Sequence, residues 1–162
     1  MNLTIRRATV DDAEAIGVVH SASWREAYSH IFGEAVFAAR SPELRAIKWR
    51  GIMESAPPEV ATLVAEIDGT VIGFAHGGQA RGVDRPRDHE LYSIYVLAAA
   101  YGSGAGQGLL DATLGEQPAF VWVAADNPRA IAFYSRNGFV PDGTEKVDEF
   151  VGETIHVIRM VR

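Results

Sequence analysis

Between Tyr101 and Leu110 the chain places glycine at every second position, Gly102, Gly104, Gly106 and Gly108. The stretch before it, Glu90–Leu97, is rich in tyrosine and β-branched residues and reads as a strand. The stretch after it reads as an amphipathic helix, from about 104 to 115. A strand that turns into a helix through alternating glycines strips side chains from one side of the turn. Backbone N–H groups there can approach a ligand closely, and the helix N-terminus adds a positive dipole end. Such a turn suits phosphates. A turn that merely separated a strand from a helix would not need so many glycines.

Two familiar phosphate loops do not fit. A Walker A loop requires lysine and a hydroxyl after its last glycine, and neither follows here. A dinucleotide fingerprint requires a third glycine where this chain has Gln107 or Leu109. Ser103 lies outside a G-x-S-x-G elbow, which argues against a hydrolase serine.

The flanking elements alternate in type. Leu3–Ala8 reads as a strand and 11–27 as a helix. A second helix, about 34–54, is interrupted near Ser41-Pro42, with Ser41 able to cap its second part. Strands follow at 61–67 and 70–77, joined by the hairpin signal Asp68-Gly69. A polar, glycine-rich loop occupies 78–89. Past the glycine turn come a short buried strand at 119–124 and a helix opened by Asn127-Pro128. That helix closes at Asn137-Gly138, with Phe139 placed to pack back on it. Strands at about 143–150 and 153–161 finish the chain. Seven strands and four helices in this order give an α/β domain with both hairpins and crossovers.

With 162 residues, 48% hydrophobic and 22% charged, the chain is long enough for one domain with its own core. It contains no cysteine, which removes disulfides and thiolate chemistry, and its five histidines show no metal-ligand spacing. No apolar run is long enough to cross a bilayer, and the N-terminus lacks the pattern of a signal peptide, so a cytoplasmic location is expected. A formal net charge of −6 disfavours nucleic acid and membrane surfaces as partners. Together with Glu26, Glu90 and Asp148 it would suit a cationic partner.

The glycine turn resembles the signature [QR]-x-x-G-x-[GA] of the GNAT superfamily of acyl-CoA-dependent N-acetyltransferases. Gly104 and Gly106 match, and Tyr101 stands in the Gln/Arg position. A second element of that superfamily, N-x-x-A-x-x-F-Y-x-x-x-G-F, matches Asn127, Ala130, Phe133, Tyr134, Gly138 and Phe139 at every fixed position. Ser23-Trp24-Arg25-Glu26-Ala27-Tyr28 and Trp49-Arg50 also resemble one branch of these proteins.

The resemblance implies a single domain over residues 1–162. Its twisted sheet would be mixed but mostly antiparallel, of about seven strands flanked by about four helices, splayed between the fourth and fifth strands. It implies acetyl-CoA as cofactor, no metal, and an acceptor bearing a primary amine, on a small molecule or on a protein N-terminus or lysine. Cofactor contacts would come from the backbone of Tyr95, Val96 and Leu97, from the turn Tyr101, Gly102, Ser103, Gly104, Ala105 and Gly106, and from Asn127, Ala130, Phe133 and Tyr134. In direct transfer of an acetyl group to an amine, a leaving thiolate must gain a proton, and the phenol of Tyr134, with an ordinary pKa of ~10, would give it. A backbone N–H near Val96 would meet the oxyanion. Glu90 is the candidate base, acting through water, with Tyr92 and His89 behind it; an amine arriving deprotonated would need none. Trp24 and Tyr28, four apart on one helix, would line the acceptor pocket. The resemblance admits a homodimer formed through the closing strands. A non-catalytic acyl-CoA sensor or an interaction domain on the same fold is the rival reading, and Tyr134 argues against it.

Overall fold

Seven strands form one sheet in the order β1-β2-β3-β4-β5-β7-β6 in the computed structural model, which describes residues 1–162. The strands are β1 (Leu3–Arg7), β2 (Ala61–Ile67), β3 (Thr70–Gln79), β4 (His89–Val96), β5 (Ala119–Ala124), β6 (Val140–Phe150) and β7 (Glu153–Val161). All neighbours are antiparallel except β4 and β5. Five helices flank the sheet: α1 (Ala13–Tyr28), α2 (Glu34–Ala38), α3 (Pro42–Ser55), α4 (Ala105–Leu114) and α5 (Pro128–Arg136).

Alternation along the strands assigns the helices to opposite faces. On β2, Leu63 and Ala65 meet Leu109 of α4, whereas Val64 joins Ile16 of α1 and Trp49 of α3. Val121 and Val123 of β5 pack with Tyr134 of α5, while Ala124 packs with Trp24 of α1. The sheet therefore lies between α1–α3 on one side and α4 and α5 on the other. Helices α1 and α3 approach very closely: a Cβ on Gly17 would stand 2.6 Å from the Pro42 carbonyl oxygen and 2.7 Å from the Ala46 nitrogen.

Local chemistry sets most boundaries. The helix expected over 34–54 divides in two at Ser41-Pro42, so there are five helices where four were expected. Ser41 caps α3, its hydroxyl accepting from the Leu44 N–H at 3.3 Å. Asp68 (φ 50°) and Gly69 (φ 83°) make the left-handed turn of the β2–β3 hairpin. Helix α5 ends in a Schellman motif: Gly138 at φ 85° donates to the Ser135 carbonyl, and Phe139 donates to that of Tyr134.

Two strands are longer than their composition predicts. β3 runs on to Gln79 through Gly78, where a Cβ would lie 2.3 Å from the Glu59 oxygen, so only glycine fits. β6 begins at Val140 because Asp142-Gly143 forms an irregularity within the strand, not a turn before it; pairing with β7 resumes at Glu145. Pro141 is tolerated because β6 is an edge strand.

Candidate functional site

Parallel pairing of β4 with β5 covers only His89, Glu90 and Leu91 against Ala119, Phe120 and Val121. Beyond Leu91 the strands part. The cause lies in β4: Leu91 pairs with Gly77 and Ser93 with His76, so Tyr92 is an extra residue and forms a bulge. From Tyr92 to Val96 the β4 edge facing β5 has no strand partner. The Leu97 N–H donates to the Ile72 carbonyl on β3 at 2.9 Å. Antiparallel alternation then turns the N–H groups of Val96 and Ile94 away from β3, into the gap. Leu97, expected to contact a cofactor, has its N–H engaged with β3 and packs toward Phe74 and Trp49.

One side of this gap is a cleft of about 980 Å³. Most of the residues expected to bind cofactor line it: Tyr95, Val96, Tyr101, Gly102, Gly104, Ala105, Gly106, Asn127, Ala130, Phe133 and Tyr134. The glycine turn forms its floor. Gly102 (φ 80°) and Gly104 (φ 89°) hold left-handed backbone that β-branched residues resist. The N–H groups of Gly102, Gly104, Gly106 and Gln107 donate to no carbonyl or side chain, whereas that of Gly108 begins the helical ladder to Gly104. Four unengaged donors at a helix N-terminus are a ready anion cradle. A Cβ on Gly106 would touch the Phe133 ring at 3.6 Å, so any longer side chain there narrows the cleft.

Two members of the turn serve it differently from the expectation. Ser103 lies outside the cleft; its hydroxyl caps α4 by accepting from the Ala105 N–H at 3.2 Å. Gly108 does not share the open side, because position 108 on the helix turns away from position 106. A Cβ there would press within 3.0 Å of Ile5, so this glycine lets α4 lie close on β1.

Tyr101 is 43% exposed and the guanidinium of Arg129 stands over its ring at 3.5 Å. Arg129 thus brings a cation to the place where Gln or Arg is usual, a role with no signal in the spacing of the motif. Asn127 caps α5, its Oδ1 accepting from the Ala130 N–H at 3.1 Å. Tyr134 is buried beside Phe139, and burial, with Tyr28 adding to it, pushes its phenol above the ordinary tyrosine range. It therefore holds its proton at neutral pH.

On the other face of the gap lies a second cavity of about 400 Å³. Tyr28, Tyr92, Ser93, Tyr95 and Trp122 line both, so the two meet between β4 and β5. Trp24 and Tyr28, the expected acceptor-pocket residues, border the second cavity and also belong to a core cluster with Phe32 and Ile155. Tyr95, expected to serve the cofactor through its backbone, also uses its side chain: its hydroxyl accepts from Trp24 Nε1 at 3.0 Å and its ring stacks on His20 at 5.1 Å. His20 Nδ1 accepts from Trp49 Nε1 at 2.9 Å. Burial first, and then Arg40, Arg45 and Lys48, lower its pKa to about 3, while burial lowers that of His76 to about 4. Both imidazoles are neutral near pH 7.

Glu90, the expected base, lines neither cavity. It is 2% exposed and its carboxylate accepts from Arg81 Nε at 2.8 Å. The paired stretch of β4, where the sheet is closed, holds it away from the gap. Of the other two acidic residues expected to suit a cationic partner, Glu26 accepts from the Ala98 N–H and Asp148 lies 3.8 Å from Lys146.

A family model described as the acetyltransferase (GNAT) family matches residues 12–139. An uncharacterised N-acetyltransferase of Bacillus subtilis is 32% identical over 138 residues, 82% of this chain and 77% of that protein. Among solved structures, the PaiA N-acetyltransferase of Thermoplasma acidophilum in complex with coenzyme A superposes with a TM-score of 0.68 at 21% identity, covering 100% of both chains. YncA of Salmonella typhimurium, solved with its cofactor acetyl-CoA, superposes with a TM-score of 0.69 at 21% identity, covering 100% of this chain and 94% of that one. These two share the fold.

Proposed function

The chain belongs to the acetyltransferase (GNAT) family and is an acyltransferase; from that premise we propose that residues 1–162 act as one domain transferring acetyl from acetyl-CoA directly to a primary amine. The carrying observation is the unengaged N–H set of Gly102, Gly104, Gly106 and Gln107, which floors a cleft opening where β4 leaves β5. These donors fit a pyrophosphate, and Arg129 on Tyr101 adds a positive charge beside them. The outward backbone edge of Ile94 and Val96 fits the amide-bearing arm of the cofactor. Acetyl-CoA supplies an acetyl thioester.

The remaining tasks fall to this chain's own groups. The Val96 N–H, turned into the gap, is the donor for an oxyanion. Tyr134 keeps a proton on Oη for a departing thiolate, because burial disfavours the phenolate. The acceptor amine enters from the second cavity. The one carboxylate there, Asp148, lies 3.8 Å from Lys146, and Arg40, Arg45 and Lys48 disfavour an ammonium, so the amine arrives neutral; as the C–N bond forms and the C–S bond breaks, the proton shed by nitrogen replaces the one that Tyr134 gives the thiolate.

Calorimetric titration with acetyl-CoA, with adenosine diphosphate as the control, tests the cofactor reading. Saturable binding much tighter than that of the nucleotide is expected, followed by thiol release when amines are added. No binding would reduce the glycine turn to architecture. Binding without release across a broad amine panel would make the domain a sensor.

A further inference from the structure

We infer that the second cavity is built for an acceptor that carries an oxyanion group, such as a carboxylate, beside its amine. This rests on the acetyl-transfer reading for the direction of approach, but the observations behind it are separate. Five cationic side chains line the cavity, Arg40, Arg45, Lys48, Arg81 and Lys146, against one carboxylate, Asp148. Arg81 is paired with Glu90, and Lys146 stands near Asp148. Arg40, Arg45 and Lys48 have no acidic partner. In a chain of net charge −6, that concentration of unpaired positive charge is local and specific.

Arg45 is only 9% exposed, on the inner face of α3 beside Trp49. The Nε atoms of Arg40 and Arg45 are the two buried side-chain polar atoms in the molecule without a hydrogen-bond partner. The Arg40 guanidinium is sandwiched against aromatic walls, 3.9 Å above Trp24 and 5.2 Å from Phe150. Elsewhere the fold pairs its inward arginines: Arg159, equally buried, binds Asp142 at 2.7 Å and Asp84 at 3.3 Å, and Arg6 binds Asp12 and Glu66.

A buried guanidinium without an acceptor is costly, and two neighbouring ones repel each other. Burial and Arg45 together lower the Arg40 pKa to about 10. A ligand oxyanion would complete both guanidinium forks and relieve the repulsion. The neutral His20 and His76 leave that role to the arginines. A volume of about 400 Å³ and aromatic walls fit a small molecule with a short apolar portion.

All three tryptophans of the protein, Trp24, Trp49 and Trp122, line this cavity, so indole fluorescence reports its occupancy. The test uses malonate, L-norleucine and n-pentylamine, the last being norleucine without its carboxylate. Each is titrated with saturating CoA present, so that the first cleft's phosphate cradle is filled. Malonate and norleucine should change the emission saturably and pentylamine should not. Arg45→Met should weaken the two anionic probes by about tenfold or more, the usual worth of a charge-assisted hydrogen bond, with CoA affinity unchanged by calorimetry. If Arg45→Met does not fold by circular dichroism, Lys48→Met on the exposed side of α3 gives the same reading with a smaller shift. Equal binding of pentylamine and norleucine, no response to either anion, or titrations indifferent to both variants would overturn the inference. Failure to bind CoA would instead break the acetyl-transfer reading, and the anion titrations repeated without CoA would still report on the cavity.

Discussion

The two cavities that meet at the β4–β5 gap are made in different ways. The first is largely backbone: four unengaged amides, a strand edge freed by one bulged residue, and glycines that keep side chains out. Most of its residues fall in three short segments, 92–96, 101–107 and 126–136, with 23–30 and 121–123 completing the wall. The second is made of side chains drawn from both helical and strand elements between His20 and Val157. A backbone cradle recognises what every CoA thioester has in common. A side-chain cavity recognises whatever its charges and walls select. The difference predicts that substitutions in the first region alter cofactor use for every acceptor, whereas those in the second sort acceptors and leave the cofactor alone.

The strongest break should come at the buried phenol of the first cleft. Tyr134→Phe removes the proton from a site that both reacting partners must reach. It should reduce kcat by roughly 10²–10⁴-fold, the usual worth of a general acid, with the calorimetric affinity for acetyl-CoA retained. Turnover at the parental rate would remove Tyr134 from the mechanism. Next comes Gly104→Val, which forces a β-branched residue into left-handed backbone and disturbs the amide cradle. Acetyl-CoA binding should weaken by roughly a hundredfold or more, about 3 kcal/mol, as two charge-assisted contacts are lost. The anion response of the second cavity should persist in this variant; its loss would show that the two regions are not separable.

Acid should act on the second region first. The His20 pKa is lowered to about 3 from an ordinary 6.5, so the unfolded chain binds more protons between those values. Stability is fully present above about pH 6.5 and declines as pH falls toward 3. A melting temperature that stays level from pH 7 to 4, or falls just as steeply in His20→Asn, would contradict this. The smallest effect belongs to Arg129→Gln. Its guanidinium stacks on an exposed ring, a contact worth ~0.5–1 kcal/mol, so acetyl-CoA affinity should fall only about threefold to fivefold. A drop as large as that of Gly104→Val would make the side chain, not the amides, the principal phosphate ligand.

Legibility in the sequence follows the same division. The glycine turn and the Asn127–Phe139 segment were readable because their constraints are local: positive φ at Gly104, a cap at Asn127, a Schellman stop at Gly138. The strands were readable from alternation at Leu3–Ala8, from the Asp68-Gly69 turn signal and from β-branched and aromatic composition at Glu90–Leu97, and the Ser41-Pro42 interruption correctly marked the break before α3. What escaped was decided by tertiary approach. The extension of β3 through Gly78 depends on the Glu59 backbone, the role of Gly108 depends on Ile5, and the distance of Glu90 from the gap depends on how far β4 stays paired. The second cavity left one trace that a sequence could carry. Arg45 lies four residues before Trp49 on a helix, so a charge shares the buried face with an indole.

The close seating of α1 on α3 at Gly17 has a consequence for how such a protein can change. With no Cβ between them, the Pro42 end of α3 rests directly on the backbone of α1, and Arg45 and Lys48 follow within two turns of that contact. The helix that bears Arg45 and Lys48 is thus seated directly on a partner that contributes Trp24 and Tyr28 to the same cavity. A bulkier residue at 17 would push the two helices apart and reposition those charges. New acceptor preferences are therefore accessible from a position remote from the reaction, while the machinery that handles the acetyl donor is inherited unchanged.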